Sequence, residues 1–134
     1  MMAIELNNLE ELPLKNGDSE HAIPTIWRPT IHQIVSAFSR HEYELASGIL
    51  GIDAVSSDTA EGIRRYIEDY GEEITELSEE TWKSSICIWM GNRWDAFVDL
   101  WTLSEGRSDL VLHLNIFEAG DGGYKFSVYM VYVP

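Results

Sequence analysis

The sequence predicts an α+β domain in which N-terminal helices pack on one face of a four-stranded antiparallel meander sheet. Three observations carry that expectation. Apolar residues recur at helical spacing in two early stretches, Ile31, Ile34, Val35, Phe38 and then Ile63, Tyr66, Ile67, Tyr70. From Ser84 onward the apolar period changes to two, as a strand with one buried face requires. Short connections, Gly91-Asn92 and Gly120-Asp121-Gly122-Gly123, separate the alternating runs, and short links make antiparallel neighbours. The 134 residues read as one domain: an arm (1–24), a helical part (25–83) and a sheet (84–134). A chain of this length buries roughly two-thirds of its unfolded surface, so it needs neither a metal nor a disulfide to fold. Its one cysteine, Cys87, allows no internal disulfide.

In the arm, Leu6, Leu9 and Leu12 are spaced by three and suggest a short helix, followed by a turn-rich KNGDSEH segment. A terminal segment of this kind is loosely ordered unless something ties it down. Pro24 and Pro29 bracket a turn, and Pro29 suits the first turn of a helix, where its missing N–H costs nothing. Leu45, Ala46 and Ile49 extend the apolar face after a break near Arg40–His41, with Gly48 and Gly51 ending it. Asp58 and Glu61 have the spacing of a capping box, and Gly71 is placed to close that second helix. Ser78 opens a single helical turn, with Trp82 entering the core behind it.

Strand parity sorts the sheet residues into two faces. Trp94, Ala96, Val98 and Leu100 share one face with Leu110, Leu112, Leu114 and Ile116, and this face is almost wholly aliphatic. Asp95, Phe97, Asp99 and Trp101 share the other with Asp109, Val111, His113, Asn115 and Phe117. Trp89 and Trp101 are assigned to this mixed face as contact residues, since aromatics anchor interfaces and pockets. The mixed face reads either as a half-buried rim with solvated carboxylates or as a cleft or interface. On the second reading the binding residues are Trp89, Phe97, Asp99, Trp101, Arg107, Asp109 and His113.

Asp95, Asp99, Asp109 and His113 are the residues that could hold a metal or work as acid and base. Asp99 and Asp109 fall near the base of the 102–108 loop on neighbouring strands, but Asp99 is equally suited to capping that loop or pairing with Arg107. A lone histidine in an apolar strand is more often a hydrogen-bonded structural group than a ligand. No HExxH, paired cysteines, Gly-rich phosphate loop or calcium loop occurs. No catalytic residue, metal or cofactor is therefore assigned, and Cys87, flanked by apolar residues, reads as an inert buried thiol.

The formal net charge is −14, from 23 acidic and 9 basic side chains. That excess argues against nucleic acid and anionic membranes as partners and permits a basic protein. The stretch from Asp58 to Glu80 is its densest part, acids there being offset only by Arg64 and Arg65. The N-terminus MMAIELNNLEELPL lacks the basic-then-apolar order of a signal peptide, and a cytoplasmic location is expected.

Trp82, WDAFVDLWT (94–102), EGRSDLVL (105–112), VYVP (131–134) and the helix IRRYIEDYG (63–71) together resemble a family of small bacterial proteins of unknown function. The resemblance covers roughly residues 57–134 and implies an α+β domain; it brings no reaction and no catalytic residue. A vaguer likeness is to the cone-shaped nuclear-transport-factor-2-like fold, which would imply a ligand concavity. Small size, acidity and an aromatic-polar sheet face together suggest a non-enzymatic cytoplasmic interaction protein, of the immunity kind that binds a basic partner. The alternative is a small-ligand-binding or weakly catalytic protein with its pocket on the mixed face. Homodimerisation through that face or a sheet edge is the third reading.

Overall fold

The computed structural model describes residues 12–46 and 48–134. Two helices and five strands run in the order β1 (His21–Ala22), α1 (Arg28–Ser39), α2 (Ser57–Tyr70), β2 (Ile86–Trp89), β3 (Trp94–Thr102), β4 (Gly106–Glu118) and β5 (Tyr124–Tyr132). The fold is α+β, with one antiparallel sheet in the strand order β1-β2-β3-β4-β5. The expected four-strand meander therefore has a fifth member. His21 and Ala22 pair with Cys87 and Ile86, a strand too short to carry any periodicity in sequence.

That strand helps to fix residues 12–24, the part of the expected loose arm that is described. The Trp94 indole N–H donates to the Leu14 carbonyl at 3.0 Å, the Lys15 ammonium meets Glu118 at 2.8 Å and lies over the Trp89 ring, and Ile23 is fully buried. Leu6 and Leu9 of the expected short helix lie outside the described residues.

α1 starts with Pro29 in its first turn and buries Ile31, Ile34, Val35, Ala37 and Phe38. It stops at Ser39 because the chain turns left-handed: His41 has φ 66° and Leu45 φ 55°, values that no helix continues. The expected extension through Leu45, Ala46 and Ile49 does not form, although Leu45 still drops into the core as a loop residue. α2 is capped two residues before the expected position. Ser56 is the N-cap, its hydroxyl accepting from the Thr59 N–H at 3.2 Å, while Asp58 sits in the first turn, where the helix dipole favours an anion. Ala60, Ile63 and Ile67 are buried; Tyr66 points to solvent and Tyr70 is half-buried. Gly71, left-handed at φ 85°, closes the helix with its N–H on the Ile67 carbonyl. Ser78 caps the short turn Glu79–Lys83, and Trp82 behind it is buried.

The aliphatic face is as sealed as the alternation implies. Ala96, Val98, Leu100, Leu110, Leu112, Leu114 and Ile116 are 0% exposed, and Trp94 is at 1%. They join the buried residues of both helices in one core. Each large side chain so buried contributes about 1.5–3 kcal/mol.

Two irregularities shape the other face. In β4, Ser108, Asp109 and Leu110 stand opposite Leu100 alone, since Asp99 pairs with Val111 and Trp101 with Arg107. The Ser108 hydroxyl stitches this bulge, donating to the Leu100 carbonyl at 2.8 Å and accepting from the Leu110 N–H at 3.1 Å. In β5, Tyr129 is an extra residue: Leu114 pairs with Val128 but His113 pairs with Met130. Before the bulge Phe126 and Val128 face as Ile116 and Leu114 do; after it Val131 takes the core side beside Leu112 and Tyr132 turns to the mixed face.

Candidate functional site

Among the described residues nothing packs over the mixed face as the helices pack over the aliphatic one. Its half-buried side chains are Ile86 and Ile88 from β2, Phe97, Asp99 and Trp101 from β3, His113, Asn115 and Phe117 from β4 and Tyr132 from β5, with Trp101 also packed against the core. Trp89 is not among them. It pairs with Trp94 and packs on it at 4.7 Å between centroids, on the helix side of the sheet. Met90 to Arg93 separate the two tryptophans, so odd positions in β2 share a face with even positions in β3. For the same reason Cys87 lies inside, 1% exposed, its thiol pushed up to about 11 by burial.

The other expected site residues separate into two groups. Phe97 and His113 face each other across β3 and β4, ring centroids 4.4 Å apart. Trp101 and Arg107 are cross-strand partners further along. Asp99 and Asp109 form no couple. The Asp99 carboxylate accepts from the Ser84 hydroxyl rather than meeting Arg107, while Asp109 is exposed at the β4 bulge, its N–H donating to the Tyr70 oxygen at 3.1 Å. Among the described residues, no three His, Cys, Asp or Glu side chains are grouped to hold a metal ion.

The histidine's carboxylate partner is Asp95, a residue weighed for acid–base chemistry but not for binding. Asp95 is 7% exposed. Its Oδ1 accepts from Arg93 Nε at 2.9 Å and from Asn115 Nδ2 at 2.8 Å. Its Oδ2 lies 3.4 Å from His113 Nε2, an electrostatic contact without the alignment of a hydrogen bond. On the ring's far side His113 Nδ1 meets the Tyr132 hydroxyl at 3.1 Å, and the Tyr129 ring lies 4.7 Å away. Burial lowers the His113 pKa from its ordinary 6.5, with Asp95 opposing. Burial raises that of Tyr132, helped by Tyr129 and Asp95. With the ring proton on Nε2, toward the carboxylate, Nδ1 accepts from the Tyr132 O–H.

These groups line an open cleft of about 980 Å³ beside β5, with Tyr66 and Thr59 of α2 on its other side. Met130 reaches toward α2 there, where a Cβ on Gly62 would sit 3.2 Å from its methyl carbon. Asn115 was visible by parity. Tyr132 was not, because no glycine or proline marks the bulge that turns it outward.

A second cleft of about 580 Å³ lies on the helix side, where Glu42, Glu44 and Glu61 surround Tyr43 and Arg64. Burial raises the Tyr43 pKa, and the carboxylates Glu68 and Glu73 add to the shift. Arg64 is held by Glu61 and by Glu68, the latter at 2.7 Å.

A family model described as Domain of unknown function (DUF7668) matches residues 35–134. The chain belongs to this family. The match spans α2 and strands β2 to β5, and with them every residue of the cleft. No curated protein and no solved structure matches the chain. No helix among the described residues is long and apolar enough to cross a membrane.

Proposed function

We propose that the chain is a non-enzymatic interaction protein of the cytoplasm that docks a basic protein partner, in the manner of an immunity protein holding a toxin. The observation that carries this reading is the uncovered sheet face, on which the aromatic residues Phe97, Trp101, Phe117 and Tyr132 stand half-buried among the polar groups Asp95, Asp99, His113 and Asn115. Aromatic residues are enriched where proteins meet and often anchor the contact. The net charge of −14 selects the sign of the partner and disfavours a second copy of the chain on the same face.

The test is capture of partners by the immobilised full chain at low and at high salt, repeated with Trp101→Ala. A basic protein that is retained at low salt, released as salt rises and weakened by the substitution supports the reading. Retention indifferent to salt, or unaffected by the loss of Trp101, overturns it. Light scattering on the isolated chain decides the competing homodimer.

A further inference from the structure

We propose that the cleft beside β5 binds an alkylammonium group, carried by a free amine or by a lysine side chain. The inference is separable from the docking reading: the two share Tyr132, but docking also uses Phe97, Trp101 and Phe117, which do not line the cleft. It begins with the polarity of the hydrogen bonds. With the His113 proton on Nε2 toward Asp95, Tyr132 directs its proton to His113 Nδ1, which leaves the lone pairs of its oxygen free. Asn115 directs its amide N–H to Asp95, leaving its Oδ1 without a donor among the described residues. The floor of the cleft thus presents acceptors and calls for a donor.

The walls favour a charged donor. Tyr129 and Tyr66 are 57% and 47% exposed, so their electron-rich ring faces are open to a cation. Met130 adds a thioether, a weak acceptor that also packs on methylene groups. Among the described residues the one cation lining the cleft is Arg93, which is engaged by Asp95 and by the Asn92 side-chain oxygen at 3.3 Å, so its charge is balanced locally. The surrounding field of a chain at −14 concentrates cations near it. The volume, about 980 Å³, admits the butyl stem along with the ammonium head.

The arrangement also fixes how binding must respond to pH. The charged and titratable groups facing His113 are Asp95 and Arg93 on the β3 side and Tyr129 and Tyr132 on β5, with Tyr66 of α2 across the cleft. When His113 takes a second proton, Nδ1 becomes a donor. Tyr132 must then accept from it and turn its own O–H outward. The floor changes from acceptor to donor and gains positive charge, so an ammonium ion leaves. By linkage, a bound cation lowers the His113 pKa further.

The full chain is titrated with n-butylammonium chloride in one arm and with a capped glycyl-lysyl-glycine peptide in another, each against sodium chloride of equal ionic strength. Amide shifts and the His113 ring protons are followed by NMR. Saturable shifts at Tyr129, Met130 and Tyr132, with a fall in the His113 pKa, are expected in at least one arm. Response to butylammonium alone assigns the site to a small amine, and a stronger response to the peptide assigns it to a partner's lysine. Tyr66→Ala and Tyr129→Ala, both at exposed positions, are expected to weaken binding about 2- to 5-fold each. Tyr132→Phe is expected to weaken it while the thermal midpoint shows the chain folded, and His113→Gln is expected to remove its pH dependence. Shifts reproduced by sodium chloride, or pH dependence that survives His113→Gln, overturn the proposal. A chain that binds butylammonium but captures no basic protein keeps this site and loses the docking reading.

Discussion

The two faces of the sheet are built from the same strands and do opposite work. On one, Val98, Leu112 and Leu114 are fully buried beneath the helices, and no polar side chain interrupts them along the middle of β3 and β4. On the other, one residue along each strand, Phe97, His113 and Asn115 are half-buried and held by rings and hydrogen bonds. The first face derives its stability from area removed from water. The second gains less from burial and instead fixes the orientation of a few polar atoms. The contrast shows where tolerance to change should lie, and it can be broken experimentally.

The largest effect is expected from Leu112→Ala, a loss of about 2–5 kcal/mol, because a cavity opens where nothing can collapse into it. Phe97→Ala on the opposite face of the neighbouring strand is expected to cost about 1 kcal/mol, since its ring is already half in solvent. Urea midpoints measure both; equal losses would mean that the mixed face is sealed in solution by something else. A smaller effect follows from His113. Its folded-state pKa lies below the ordinary 6.5, so the unfolded chain binds the proton more readily. Stability is therefore whole above 6.5 and falls as pH drops from there toward the folded value. Midpoints at pH 7.5 and 5.5, compared between the native chain and His113→Gln, should show a sag that the variant lacks. The smallest effect is at the edge of both faces: Ser56→Ala removes the α2 cap and should cost about 0.5 kcal/mol, the low end for an exposed cap. A loss well above that would mean that the start of α2 also carries the cleft wall at Thr59 and Tyr66.

Much of this contrast was legible in the residues. Period-two alternation alone separated Val98, Leu100, Leu112 and Leu114 from Phe97, Asp99, Trp101 and His113, because one face must be dry and the other need not be. What alternation lacks is register between strands. Trp89 fell on the wrong side because the spacing across the Met90–Arg93 turn, not parity within β2, decides which face it shares. The pairing of His113 with Asp95 instead of Asp99 is likewise a cross-strand fact. Asn115 faces Asp95 and brings that carboxylate beside the ring, while Asp99 is drawn off by Ser84. Tyr132 was hidden for a different reason: its face depends on a bulge whose extra residue is an ordinary tyrosine.

That bulge makes the arrangement depend on backbone register rather than on any one side chain. Were the bulge lost and Tyr129 kept, β5 would run as an uninterrupted pleat with Tyr129 opposite His113. Val131 would then emerge on the mixed face opposite Val111, and the phenol of Tyr132 would be driven toward the helices opposite Leu110. Relatives of the same length whose final strand pairs without the bulge would thus share nearly all of this sequence and carry no Tyr132 hydroxyl on the imidazole at all.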